Sequence, residues 1–131
     1  MGQSQLLMIV LAVIIIGIAV TVGITQFGES ALTANADGLS TDCQSVVAKA
    51  QSWYRKPASL GGGGYAFTGA TLAKIGAGAS NDNGTYALTV VSANQITCTG
   101  TGNETTSAGA TVVVTMNYFA SQDSMATTNN L

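Results

Sequence analysis

The feature that most constrains this chain is a long apolar segment close to its N-terminus. Residues 6–24 form an apolar run of 19 residues, and no charged side chain occurs before Glu29. A helix of this length extends about 28 Å, enough to cross the hydrocarbon core of a bilayer. Because apolar side chains surround such a helix on every side, it must be buried all round, in lipid or among other helices.

The segment does not have the pattern of a cleaved secretory signal. No Lys or Arg precedes the run, the run is longer than a typical signal core, and no small-residue cleavage pattern follows it. We therefore expect it to be retained in the mature protein. Gly17 and Gly23 lie inside it, and glycine at these positions would let a neighbouring backbone approach or would loosen the helix locally.

A second helical pattern follows without a strong stop signal. Between residues 29 and 56, apolar side chains recur at helical spacing and leave the opposite face polar. Pro57 ends the pattern, because the residue before a proline is disfavoured in the helical region. We predict one very long helix, apolar all round over residues 1–28 and amphipathic over 29–56. The core-facing positions are Leu32, Leu39, Cys43, Val46, Val47, Ala50, Trp53 and Tyr54.

The C-terminal half has the alternation typical of a small antiparallel sheet. Three β-prone runs occupy residues 85–91, 95–101 and 110–119. The fold class is therefore α+β: a long N-terminal hydrophobic helix packed at its C-terminal half on a small antiparallel sheet. The globular domain comprises residues 29–131. Its first part is the amphipathic half of the helix (29–56), and we divide the rest into three parts. These are a loop region (57–84) with a flexible Gly61–Gly64 loop and a short helix or irregular segment within 66–75, the sheet (85–119) and a C-terminal tail (120–131).

Two cysteines, Cys43 and Cys98, are the only ones in the chain and fit no metal or haem spacing. In an exported protein the simplest interpretation is one disulfide. Cys98 shares a predicted strand face with Ile96, whereas Cys43 lies on the apolar face of the predicted helix. A bond between them would fasten the inner face of the sheet to the helix.

The N-terminal sequence and the predicted architecture together resemble one known family. The opening Met1-Gly2-Gln3-Ser4-Gln5, followed directly by the apolar run, and a long helix laid on a small disulfide-containing sheet resemble type IV pilins and pseudopilins. The resemblance implies a structural subunit, like a major pilin, of an extracellular helical filament (a pilus or fimbrium). It also implies a precursor pool embedded in the inner membrane, and cell adhesion as a role of the filament. Gln5 stands where the family commonly has an acidic residue that pairs with the amine of a neighbouring subunit.

The residues that we expect to mediate assembly with identical subunits all lie within the first 24 positions. Gln5 can accept a hydrogen bond from an N-terminal amine but cannot neutralise its charge. The remaining positions bury apolar surface or allow close approach. The set is Met1, Gln5, Leu6, Leu7, Ile9, Val10, Val13, Ile14, Ile16, Gly17, Val20 and Ile24. The alternative is a single-pass anchor that carries a pseudopilin-like or surface-binding module.

Other classes of function have little support in the composition. The chain has no histidine and only six carboxylates, scattered along its length, so we predict no enzyme activity, metal site or cofactor. Its basic side chains are too few for an electrostatic footprint on nucleic acid. They are Lys49, Arg55, Lys56 and Lys74.

Two short motifs have more than one interpretation. Residues 81–84, Asn-Asp-Asn-Gly, resemble part of a calcium loop, but the downstream carboxylates of such a loop are missing and a plain turn is favoured. Asn83 and Asn103 each begin an Asn-X-Thr triplet, the pattern for N-glycosylation, which also occurs often by chance. They are candidate glycan attachment sites.

Overall fold

A computed structural model describes residues 2–131, so Met1, the first of the expected assembly residues, lies outside the described part. The chain divides into two compact units, one ending at Ala31 and the other running from Leu32 to Leu131. Its elements are α1 (Gly2–Arg55), a 3-10 turn (Ala58–Leu60), α2 (Leu72–Ile75), β1 (Ser80–Asn81), β2 (Gly84–Ser92), β3 (Gln95–Thr105), β4 (Thr111–Phe119) and β5 (Ser124–Asn129).

The prediction of one very long helix is confirmed. Helix α1 has 54 residues and continues through Gly28 and Gly38, because glycine only weakens a helix and no proline occurs before Pro57. It ends at Arg55, one residue earlier than predicted. A basic side chain in the last turn interacts favourably with the negative end of the helix dipole.

The sheet is an antiparallel meander with the strand order β1-β2-β3-β4-β5. Its register aligns Leu88 with Cys98 and Cys98 with Met116, so these side chains share one face. Along β3 and β4, buried positions alternate with partly exposed ones. This period of two is the sequence alternation that predicted the strands, and it selects the face that meets the helix.

The core of the second unit lies between the inner face of the sheet and the residue 32–55 part of α1. All eight predicted core-facing helix positions take part: Leu32 and Tyr54 are partly buried and the other six are buried. Phe67 and Ile75, from the connection between α1 and the sheet, complete the cluster. The amphipathic pattern of the helix therefore finds its apolar partner within the same unit.

The sheet is larger than predicted at both edges. Strand β1 lies in the predicted loop region 57–84 and strand β5 in the predicted tail 120–131, so neither segment is free of strands. Five of the six residues of β5 are exposed, and its apolar residues do not alternate. Main-chain pairing with β4, from Phe119↔Ser124 to Val114↔Asn129, defines the strand instead.

The Gly61–Gly64 segment is a hydrogen-bonded cap rather than the flexible loop that we expected. The main-chain N–H groups of Gly63 and Gly64 donate to the carbonyls of Trp53 (2.8 Å) and Lys56 (3.0 Å). The indole Nε1 of Trp53 donates to the Gly61 carbonyl at 3.1 Å. Carbonyls at a helix C-terminus have no partner inside the helix, so this glycine-rich turn satisfies groups that water would otherwise solvate.

Candidate functional site

The first unit presents a continuous apolar surface. All fourteen large apolar side chains between residues 6 and 24 are exposed in the single chain, by 52% or more of their surface. Soluble monomers rarely expose a contiguous apolar patch of more than a few hundred Å². This surface, which we call the apolar helix surface (residues 6–24), therefore requires lipid or other protein around it.

The predicted assembly residues within the described part lie on this surface or at its start. Gln5 and Gly17 are exposed, and no atom of the chain outside the helix's own backbone comes within 4 Å of a Cβ built at Gly17 or Gly23. The other predicted residues are between 52% and 70% exposed. They are Leu6, Leu7, Ile9, Val10, Val13, Ile14, Ile16, Val20 and Ile24. Their involvement in assembly stays a prediction, because the single chain shows only that they are available.

Two threonines at the end of this surface keep their hydroxyl groups within the helix. Thr21 Oγ1 donates to the Ile18 carbonyl at 2.8 Å, and Thr25 Oγ1 donates to the Thr21 carbonyl at 2.9 Å. Burying a hydroxyl without a hydrogen bond is costly, whereas these two groups already have partners. The surface can thus enter an apolar environment without first finding polar partners for Thr21 and Thr25.

By length and composition α1 could cross a membrane. An 18-residue window of this helix has a mean hydropathy of 3.1, and none of that window is buried within the chain. A core helix of a soluble protein passes the same composition test but is covered by its own chain. Here the apolar window is uncovered within the chain, as in a membrane span or an N-terminal signal sequence.

A disulfide joins the helix to the sheet in the second unit. Cys43 of α1 and Cys98 of β3 are bonded, with their Cα atoms 5.8 Å apart, as the sequence predicted. Both residues are fully buried in the core cluster. The bond therefore fixes the inner face of the central strand against the helix at the middle of the core.

A polar cluster on α1, which sequence reasoning missed, holds the β1–β2 connection in place. The Asp42 carboxylate atom Oδ2 accepts hydrogen bonds from Asn81 Nδ2 (2.8 Å), Asn83 Nδ2 (2.7 Å) and the Tyr86 hydroxyl. Asn81 Oδ1 also accepts from the main-chain N–H of Asn83 at 2.9 Å. The Asn81–Gly84 segment is thus a turn, as favoured above, and Asp42 is its anchor on the helix.

These hydrogen bonds shift the pKa values of both ionisable partners. Hydrogen bonds from Tyr86 and Asn83 lower the pKa of Asp42, because they stabilise the carboxylate. Burial, followed by the hydrogen bond and charge of Asp42, raises the pKa of Tyr86 to about 12. Over a wide range of pH, Asp42 therefore stays an ionised acceptor and Tyr86 stays a protonated donor.

Close packing next to this cluster explains a glycine on β3. Asn35 of α1 donates from Nδ2 to the Asn83 carbonyl at 2.9 Å, while its Oδ1 is buried without a hydrogen-bond partner. A Cβ on Gly102 would overlap that oxygen. Only glycine leaves room for the Asn35 amide, so Gly102 allows the helix and β3 to approach closely.

The two candidate glycan sites differ in their surroundings. The Asn83 carboxamide is half-buried and donates to Asp42, so a sugar attached to Nδ2 would displace part of the polar cluster. Asn103 is exposed and donates to the Asp82 carbonyl at 3.0 Å. Of the two, Asn103 is the one that a folded chain presents to solvent.

A small cavity between α1 and the β1 region has mixed polarity. It has a volume of about 190 Å³ and is lined in part by Asp42, Lys49, Ser80, Asn81 and Tyr86. Within residues 2–131, no group of three His, Cys, Asp or Glu side chains comes together in a form that could hold a metal ion. Asn81 and Tyr86 already donate to Asp42 at the helix–turn contact, and Lys49 donates to the Gly76 carbonyl.

Comparison with known proteins gives no family for this chain. No protein-family model matches it, and neither a search of curated proteins nor a search of solved structures returned a significant match.

Proposed function

We propose that this chain is a structural subunit of an extracellular, type IV pilus-like filament that assembles by burial of its N-terminal helices. The observation that carries the proposal is the apolar helix surface: fourteen large apolar side chains, all exposed in the single chain, in a segment without any charged side chain. In such a filament these helices form the core and the disulfide-bonded units lie outside.

The assembly step exchanges lipid contacts for protein contacts. Burying one Leu, Ile or Val side chain away from water gains about 1.5–3 kcal/mol, so the segment is not stable in water alone. Lipid tails are as apolar as leucine, so leaving the bilayer for the filament core depends on packing between helices. Gly17 and Gly23, where nothing occupies the space beside the helix, provide points of close approach.

Gln5 is the polar group that we assign to the start of the core. An N-terminal amine buried there needs hydrogen-bond acceptors, because an isolated buried ammonium is costly. The Gln5 carboxamide of the same or a neighbouring subunit is suited to this role, although it cannot neutralise the charge. The charge-free opening followed by the apolar run also supports the resemblance to type IV pilins.

The second candidate is a membrane-anchored module, either pseudopilin-like or a surface-binding domain. The mean hydropathy of 3.1 over 18 uncovered residues favours it, because the same segment suits lipid. The helix continues without a break from this segment to Arg55, the end of its amphipathic half. We take this continuity, which suits a filament stalk, to favour the filament.

The test is electron microscopy of the purified native protein together with charge substitutions in the helix. We expect the parent chain to form filaments and Val13→Lys or Ile16→Lys to abolish them, because an unpaired charge in an apolar core costs several kcal/mol. Thr89→Lys, on an exposed position of β2, adds the same charge and should leave assembly unchanged.

The fold of each variant can be checked independently through the Cys43–Cys98 disulfide. Filaments of normal appearance and abundance from Val13→Lys would contradict the proposal. A parent chain that stays in membranes and forms no filaments would favour the anchored module instead.

A further inference from the structure

Charges in the second unit are separated by sign along α1. Asp37 and Asp42 lie in the first part of the helix within this unit, whereas Arg55 is its last residue and Lys56 follows it. Lys49 lies between these two groups. At a rise of 1.5 Å per residue, Asp37 and Arg55 are about 27 Å apart along the helix axis. The helix therefore has an acidic end and a basic end within one compact unit.

The chain connections add two carboxylates to the acidic end. The residues on either side of Asp82, Asn81 and Asn83, donate hydrogen bonds to Asp42. Asn103, the residue before Glu104, donates to the Asp82 carbonyl at 3.0 Å. Lys49 lines one cavity with Asp42 and donates at 3.1 Å to the Gly76 carbonyl, two residues after Lys74, so we assign neither lysine to an end. We define the acidic end by its exposed carboxylates Asp37, Asp82 and Glu104, and the basic end by the exposed Arg55 and Lys56.

One exposed carboxylate of this unit, Asp123, lies outside the acidic end. The basic side chains of this unit remain available to a partner outside the chain. Asp123 lies beside Gln51, with Gln51 Nε2 3.5 Å from its Oδ1, and it accepts a hydrogen bond from Tyr118 at 2.9 Å. Lys49 and Lys74 both donate to main-chain carbonyls instead of carboxylates. Arg55 and Lys56 are exposed. The basic end thus keeps a positive excess that faces solvent.

We propose that the acidic end of one copy docks against the basic end of another copy. The contact uses two different patches, so it is heterologous, and repeated contacts of this kind generate an open helical filament rather than a closed dimer. This inference rests on the proposed filament and adds its orienting contact: apolar helices supply the core, while opposite charges set the order of the outer units. Complementary charges contribute mainly to specificity and rate of association.

Two charge-reversal variants of the full chain test the contact. The first, Asp37→Lys with Glu104→Lys, makes both ends positive. The second, Arg55→Glu with Lys56→Glu, makes both ends negative. All four substituted side chains are exposed, and none belongs to the Asp42 cluster. A third variant combines the four substitutions and exchanges the signs of the two ends.

Assembly is measured as the critical concentration for filament formation at 0.05 M and 1 M NaCl, with filaments counted by electron microscopy. We expect each two-site variant to raise the critical concentration about 3- to 10-fold at low salt, because like charges then meet. The difference should shrink at high salt, where screening is nearly complete. An equimolar mixture of the two variants, and the four-site variant alone, should assemble near the parent concentration.

The control is Thr89→Lys with Thr99→Lys, which adds two charges outside both ends and should leave the critical concentration unchanged. Parent-like assembly of both two-site variants at low salt would overturn the docking contact while leaving the filament intact. Weakened variants that are rescued neither by mixing nor by the four-site exchange would also overturn it, since the charges would then act within one chain. No filaments from the parent would overturn the proposed function itself, together with this inference.

Discussion

Asp42 of α1 anchors the β1–β2 region through its side chain. One of its oxygens accepts from three side chains of the β1–β2 region. Hydrogen bonds to a charged acceptor contribute more than neutral ones, and removing the acceptor leaves its donors without partners. This carboxylate, together with the Asn35 amide that donates to the Asn83 carbonyl, holds the turn against the helix.

We predict that Asp42→Asn lowers the free energy of unfolding by about 1–2 kcal/mol at pH 7, because the remaining hydrogen bonds lose their charge. The folded-state pKa of Asp42 lies below its ordinary value of 3.8. Its contribution is consequently present above that value and is lost as the pH falls through the folded-state pKa. Denaturant unfolding of the detergent-solubilised chain at pH 7 and pH 2, followed by the fluorescence of its one tryptophan, measures both effects.

The dependence of the unfolding free energy on pH above pH 10 provides the control for this prediction. The pKa of Tyr86 is raised from 10.0 to about 12, so its contribution is present below pH 10 and is lost as the pH rises toward 12. Tyr86→Phe should remove this alkaline loss. An Asp42→Asn variant as stable as the parent at pH 7 would show that the cluster contributes nothing to stability.

At the scale of elements, helix α1 is completed by the glycine-rich segment that follows it. The N–H groups of Gly63 and Gly64 satisfy the carbonyls of Trp53, in the last turn, and of Lys56, just after it. A Cβ on Gly63 would overlap the main-chain oxygen of Ala66 and would lie 2.6 Å from Cζ3 of the Trp53 ring. The segment fits because it has no side chains at the positions of closest contact.

We predict that Gly63→Ala lowers the free energy of unfolding by about 1–3 kcal/mol, the usual cost of overpacking. The same tryptophan signal reports it, because the Trp53 ring and the Ala66 main chain are the two groups that must move. Leu60→Ala, at an exposed position of the preceding turn, is the matched control and should change stability by less than about 0.5 kcal/mol. If Gly63→Ala and Leu60→Ala changed the free energy of unfolding equally, the glycine-rich segment would have no specific role in completing the helix.

At the scale of the whole molecule, the disulfide connects the two halves of the sequence. Cys43 and Cys98 are separated by 55 residues. Closing a loop of that length stabilises the folded state by about 4 kcal/mol in the chain-entropy model. We predict that Cys43→Ser with Cys98→Ser lowers the unfolding free energy by about 2–4 kcal/mol, measured by denaturant unfolding without reductant. A loss below 1 kcal/mol would show that the bond is dispensable.

Much of this molecule follows from local sequence pattern. The amphipathic half of the helix and the three inner strands were predictable because burial on one face imposes a period of 3.6 or 2 on nearby residues. The cysteine pairing was predictable because the chain contains only two cysteines. Strand β5 carries no such pattern, and its pairing with β4 could not be read from its own side chains. The Asp42 cluster joins residues about 40 positions apart, so no local signal connects them.

The distribution of basic residues has a consequence for detection. Trypsin cleaves after Lys and Arg, and all four such residues lie between positions 49 and 74, with Lys56 protected by Pro57. Without reduction, the segment that ends at Lys49 and the segment that begins at Ile75 stay joined through Cys43 and Cys98. A digest made without reduction therefore frees only the peptides 50–55 and 56–74 from this region, and reduction before digestion is needed to separate the two segments that carry the helix and the sheet.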